Sequence, residues 1–206
     1  MSITALFWDL GGVVLTDGWD KDSRQRACSR FGLDCREFEA RHQLVADYFE
    51  TGRISLDHYL DQTVFCQPRR FRKDEFKRFL FAQSQAHPEV LPILERMAVS
   101  GRRLMVTLNN ESLELSRYRI ERFRLRDYFS AFLSSGFLGV KKPDEAIYRI
   151  ALNVTQRSPE ECLMIDDRQE NLDTARRLGI HVIHYRDPRQ LSYELQQMVA
   201  AAYYAA

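Results

Sequence analysis

From His87-Pro88 onward the chain repeats one rhythm, a stretch of helical periodicity followed by a short apolar run. The pattern predicts helices over 88–99, 112–124, 144–154, 170–178 and from 188, with strands over 103–108, 131–134, 162–166 and 180–184. Strict alternation of this kind builds a parallel sheet, because each strand-to-strand crossover must be long enough to hold a helix and turns in one hand. One more run, Ile3 to Trp8, is apolar and β-prone and stops at Asp9-Leu10-Gly11-Gly12. It reads as a buried strand entering a glycine turn and belongs to the same sheet.

Between that strand and the alternating region the texture is helical only. Helices are expected near 22–31, 34–50, 55–66 and 74–82, with Asp34, Ser55 and Asp74 as N-caps and Gly32 and Gly52 as stops. The fold class that follows is α/β: a Rossmann-like parallel sheet with helices on both faces, plus an inserted all-helical cap. Residues 1–16 and 86–206 form the α/β core, and 17–85 the helical cap. The terminal AAYYAA is expected to fray.

Charge narrows the partners. The 206 residues carry 30 Lys+Arg against 29 Asp+Glu, so the chain as a whole lacks the basic excess that a nucleic-acid backbone or an anionic membrane surface selects. The group Arg69, Arg70, Arg72, Lys73, Lys77 and Arg78 is interrupted by Asp74 and Glu75 and reads as a solvated helix face. Arg117, Arg119, Arg122, Arg124 and Arg126 alternate with Glu114, Glu121 and Asp127, and read the same way. No run approaches the roughly 20 apolar residues of a membrane span, and Ile3 to Trp8 has no basic leader, so a cytoplasmic monomer or homodimer is expected. Cys28, Cys35, Cys66 and Cys162 form no CxxC and read as buried thiols.

In an open parallel sheet, ligands bind beyond the C-terminal strand ends. The residues placed there are Asp9, Gly11 and Gly12 after the first strand, and Asn109 and Asn110 after the second. Lys142-Pro143 follows the third, and Asp166 and Asp167, with Asn171 shortly after, follow the fourth. Carboxylates gathered beside a glycine turn repel one another unless a divalent cation neutralises them, and an all-oxygen donor set suits Mg²⁺. Asn109 and Asn110 are also good helix caps. His181 and His184, near the last strand, have no metal-ligand partner in sequence and read as structural. In the helical stretch, His42, Tyr48 and Arg53 are not selected by any motif.

Four segments, FWDLGGVVL at 7–15, VTLNN at 106–110, GVKKPDEAIY at 139–148 and CLMIDDRQEN at 162–171, resemble the haloacid dehalogenase-like hydrolase superfamily. They stand in the family's order, each at the expected strand end. The resemblance implies a helical cap, and a helical-cap subgroup close to phosphatases and the N-terminal part of epoxide hydrolases. It also implies covalent catalysis in which Asp9 attacks the electrophile, through an aspartyl-phosphate in phosphatase members. Asp9, the Gly11 carbonyl and Asp167, with Asp166 adjacent, would hold Mg²⁺, and Lys142 would bind both the nucleophile and the transferring group. The expected activity is hydrolysis of a small, sugar-like or activated phosphomonoester.

Two positions depart from the family pattern. Gly11 stands where phosphatase members carry the aspartate that protonates the leaving oxygen, a contribution of roughly 10²–10⁴ in rate. Leu108 replaces the Ser or Thr that hydrogen-bonds the phosphoryl group, leaving Asn109 and Asn110 as donors. Asp17 is the candidate substitute for the missing acid, although beside Gly18 it also reads as an exposed turn carboxylate. Trp19 either closes over the crevice or packs the helices onto the sheet. The alternatives are a 2-haloacid dehalogenase, which needs no aspartate at position 11, and a catalytically degenerate phosphate-binding regulatory protein.

Overall fold

The computed structural model describes residues 2–200; the expected fraying of AAYYAA concerns residues outside that range. Five strands, β1 (Ala5–Trp8), β2 (Leu104–Asn109), β3 (Ala131–Ser134), β4 (Cys162–Asp166) and β5 (His181–His184), form one sheet in the order β3-β2-β1-β4-β5. Every pairing is parallel. Phe7 sits opposite Val106 and Met164, so side chains alternate in phase across the sheet. Leu6, Trp8, Met105, Leu163, Ile165 and Ile183 feed the core on one face, against α5 (Leu91–Ser100) and α10 (Pro188–Ala200). Ala5, Phe7, Val106, Leu108, Cys162 and Met164 feed the other, against α8 (Glu145–Thr155) and α9 (Gln169–Arg177). The strands read as continuous apolar runs because both faces are covered.

Between β1 and β2 the chain first makes α1 (Lys21–Phe31), α2 (Cys35–Glu50), α3 (Leu56–Thr63) and α4 (Lys73–Ala82). These enclose their own core, in which Phe76, Tyr59, Leu60 and Leu80 are fully buried and Phe49 stacks on Tyr59 at 4.2 Å between ring centroids. Asp34 and Ser55 cap α2 and α3 by accepting from Glu37 N and His58 N. The expected cap at Asp74 is displaced: α4 starts two residues earlier, after Arg72, and Asp74 lies in its first turn, where its carboxylate complements the helix dipole. The two connectors to this segment run side by side. Leu15 bridges Ala86, Thr16 N donates to Gln85 O at 2.9 Å, and His87 N donates to Val14 O at 2.9 Å.

The basic face of α4 is neutralised locally, Lys73 pairing with Asp61 and Lys77 with Asp57. The arginine run at 117–126 departs from expectation at its centre. Arg119, on α6 (Leu113–Arg122), is 1% exposed and points inward, while Glu114 of the same helix accepts from Leu56 N. All four cysteines are unbridged, and Cys66 is exposed rather than buried. A four-residue helix, α7 (Ser135–Leu138), follows β3; it is too short to show periodicity in sequence. Among the described residues, no helix is long and apolar enough to cross a membrane.

Candidate active site

The strand order reverses at β1, with β2 on one side and β4 on the other, and this places a crevice beyond their C-terminal ends. The β1–β4 ladder runs one residue past the strand, Asp9 N donating to Ile165 O at 2.9 Å, so the backbone of Asp9 is fixed by the sheet. Its carboxylate is fixed too: Oδ1 accepts from Leu10 N at 2.8 Å, and Oδ2 lies 3.1 Å from Lys142 Nζ.

Lys142 reaches the crevice from the loop after α7, and it is the backbone of that loop that needs holding. Asn110 does so from the end of β2, its Nδ2 donating to Lys142 O and its Oδ1 accepting from Lys142 N, both at 2.8 Å. The ammonium lies 2.6 Å from Asp166 Oδ2. Asp166 is fully buried and its oxygens are fully engaged, Oδ1 accepting from Arg168 N at 2.8 Å and both accepting from Asn171 Nδ2 at 3.0 and 3.1 Å.

Asp167 contrasts with its neighbour. Its Oδ1 is buried without a hydrogen-bond partner. His184 Nε2–H donates to its backbone carbonyl at 2.9 Å, tying the loop to β5. Gly12 has φ +73°, and a β-carbon there would overlap the Asp167 carboxylate, so position 12 needs glycine on two counts. Oxygens of Asp9, Asp166 and Asp167 all lie within 4.8 Å of one another. Burial, and then the charges of Asp166 and Asp167, raise the Asp9 carboxyl well above the usual range although Lys142 opposes this. Burial and the charges of Asp166 and Asp17 raise Asp167. For Lys142, burial disfavours the charge, but Asp9 and Asp166 outweigh it and hold the ammonium protonated. An all-oxygen cluster with surplus negative charge and one orphaned buried oxygen fits a hard divalent cation.

Above this floor lies a cavity of about 420 Å³, walled on the other side by the helical segment, with Trp19, Arg24, His42 and Phe49 in its lining. Gly11 and Asp17 line it together, and Asp17 Oδ1 lies 3.2 Å from the point a β-carbon at position 11 would occupy. Glu111 and Arg119 form a second buried ion pair of 2.8 Å in the same wall. Arg119 also donates to Thr16 O at 2.7 Å and Ser84 Oγ at 3.0 Å, one partner on each connector.

The expected phosphate-binding amides are not equivalent. Asn110 lines the cavity, but its amide is spent on the Lys142 peptide; Asn109 is buried against Ser134, accepting from Ser134 Oγ at 2.9 Å, and does not line the cavity. Leu108 is wholly in the core, and Thr107 points to the opposite sheet face. Tyr48 is exposed, with Arg53 stacked on it and neither in the cavity lining, whereas His42 is. Trp19 lines the cavity, and its edge-on ring contacts are with Phe38 and Phe76 of the helical segment rather than with the sheet. Glu111, Arg119 and His184 enter the site without a sequence motif to announce them.

A family model for haloacid dehalogenase-like hydrolases matches residues 3–179. The chain belongs to the haloacid dehalogenase-like hydrolases. Within that family of hydrolases it is 29% identical over 193 residues to phosphatase MT3486 of Mycobacterium tuberculosis (strain CDC 1551 / Oshkosh), covering 87% of this chain and 86% of that protein. It is 30% identical over 120 residues to a phosphoserine phosphatase of Thermus thermophilus, the match spanning 56% of this chain and 47% of that one. Among solved structures the fold is similar to the magnesium complex of the haloacid dehalogenase-like enzyme bt-2542 of Bacteroides thetaiotaomicron, with TM-score 0.78 and 19% identity over 90% of this chain and 94% of that one.

Proposed function

We propose that this haloacid dehalogenase-like hydrolase is a Mg²⁺-dependent phosphatase for small phosphomonoesters, acting through Asp9, with 17–85 as the cap over a core of 1–16 and 86–206. The observation that carries the reading is the Asp9 carboxylate, held between a buried lysine and the unpartnered oxygen of Asp167. Relatives named phosphatases and a fold neighbour with magnesium support it. Asp9, the Gly11 carbonyl and Asp167 would hold Mg²⁺, which supplies positive charge that offsets repulsion between the nucleophile and a phosphate dianion. Asp166, whose lone pairs are already engaged, anchors Lys142 rather than adding a ligand.

In the first step an Asp9 oxygen forms a bond to phosphorus as the bond to the leaving oxygen breaks, giving an aspartyl-phosphate. Lys142 stays protonated and stabilises charge on the transferring group. Asp17, with Oδ1 3.2 Å from the point a β-carbon at position 11 would occupy, is the residue placed to pass a proton to the leaving oxygen and to take one from the water that then attacks phosphorus. Phosphate leaves, and Asp9 is regenerated.

The test is phosphate release from a panel of phosphate esters with and without Mg²⁺, against an Asp9→Asn control. Turnover that requires both Mg²⁺ and Asp9 is expected. Release no greater than that of the control overturns the reading, and halide release from 2-chloropropionate would replace it with dehalogenation.

A further inference from the structure

Trp19, Tyr59 and His42 form a hydrogen-bonded chain that ends at the cavity. The Trp19 indole Nε1–H can only donate, and it does so to Tyr59 Oη at 2.9 Å. Tyr59 is completely buried, and its hydroxyl stays protonated because burial pushes its pKa up. The same hydroxyl lies 2.9 Å from His42 Nδ1. With the tyrosine hydroxyl donating, Nδ1 is the bare nitrogen of a neutral imidazole and the proton sits on Nε2. Burial, reinforced by Arg24, lowers the His42 pKa to about 4, which keeps the ring neutral. The ring is braced edge-on against Tyr59, itself stacked on Phe49. Among the described residues no acceptor is paired with Nε2, and His42 lines the cavity.

The surroundings restrict what that N–H can meet. Arg24 is committed to Glu39, at 2.7 and 3.0 Å, and to Trp19 O. Lys141, in the same lining, is committed to Asp47 and Glu50. Lys21 and Arg168 also line the cavity, and both are exposed to solvent. What this wall offers inside the cavity is a neutral donor beside aromatic rings, with carboxylates such as Asp17 and Glu111 nearby. A carboxylate placed beside Asp17 would meet repulsion, whereas a hydroxyl or ring oxygen would not.

We infer that His42 is a specificity residue, its Nε2–H hydrogen-bonding a hydroxyl or ring oxygen on an uncharged, polyol- or sugar-like leaving group. This rests on the phosphatase reading above and names its substrate class.

The test compares kcat/KM for a hexose phosphate and for phenyl phosphate, which has no oxygen beyond its phosphate group. His42→Ala is expected to reduce the hexose-to-phenyl ratio roughly fivefold to tenfold, the scale of one neutral hydrogen bond. His42→Gln, whose amide can stand in for Nε2–H, should recover much of that ratio, and His42→Asn, whose amide stands nearer Nδ1, should not. Tyr59→Phe should lower the ratio by a smaller factor. Nitrogen-15 spectra of the wild-type protein should show His42 as the neutral Nε2–H form at pH 7. An Nδ1–H or charged ring, or an unchanged ratio in His42→Ala, overturns the assignment while leaving the phosphatase reading intact. A wild-type protein that hydrolyses no ester overturns both, and faster turnover of carboxylate-bearing phosphates than of hexose phosphates overturns the substrate class.

Discussion

Two buried cations line one cavity and are held in different ways. Lys142 has two carboxylate partners, Asp9 and Asp166, and Asp9 lines the cavity. Arg119 has one, Glu111, and its remaining contacts run to Thr16 and Ser84 on the connectors of the helical segment. Lysine suits the first position because a compact ammonium can be shared between two carboxylate oxygens and, on the proposed reading, a phosphoryl group. Arginine suits the second because its planar fork bonds three separately placed partners at once. Burial alone therefore does not separate the two cations; Lys142 is shared between two carboxylates of the acidic cluster, whereas Arg119 spends its remaining donors on the connectors.

That contrast can be broken from either side. Arg119→Met strands Glu111 and unties both connectors, and should cost about 3–5 kcal/mol in urea unfolding, with kcat falling less than the stability change would suggest. If its loss of turnover matches that of Lys142→Met at equal folded fraction, the distinction fails. Lys142→Met should lower kcat by about 10²–10³ even where the protein remains folded by circular dichroism. Asp17→Asn should slow alkyl phosphates by about 10² and aryl phosphates much less, since a good leaving group needs no proton. Equal slowing of both would remove Asp17 from proton transfer.

The smallest effect is in pH. Burial pushes the Glu111 carboxyl up to about 7, with Arg119 pulling it back down. A carboxyl raised above its unfolded value of 4.5 contributes stability that is fully present below that value and lost as pH rises towards 7. Unfolding free energy should fall by roughly 2–3 kcal/mol across that window relative to Glu111→Gln, in which this part of the slope should vanish. An identical slope in both proteins would show that Glu111 does not titrate there.

The sheet was readable because its strands are buried on both faces: 131–134 and 162–166 emerge with the expected bounds. Asp9, Lys142, Asp166 and Asp167 were readable for a related reason, since strand ends in a parallel sheet converge on one edge. Arg119 was not. Its spacing against acidic neighbours is the same whether a helix face meets water or a second buried shell, and only the connectors of the distant helical segment decide which. Asn109 and Asn110 were likewise indistinguishable in sequence; one turns to Ser134 and the other clamps Lys142. The His42 chain joins three helical-segment positions whose only signal was composition.

The side-by-side connectors at Leu15 and Ala86 bear on how such a protein can change. Because the segment leaves and re-enters at a single hydrogen-bonded gate, its length and content place little demand on the path of the sheet. Substitution of one helical unit for another would redesign the leaving-group wall while Asp9 and Lys142 keep their places. Arg119 bonds both sides of that gate, so an exchanged unit that keeps the Ser84 hydroxyl would keep its tie to the Arg119 that also holds the Thr16 carbonyl.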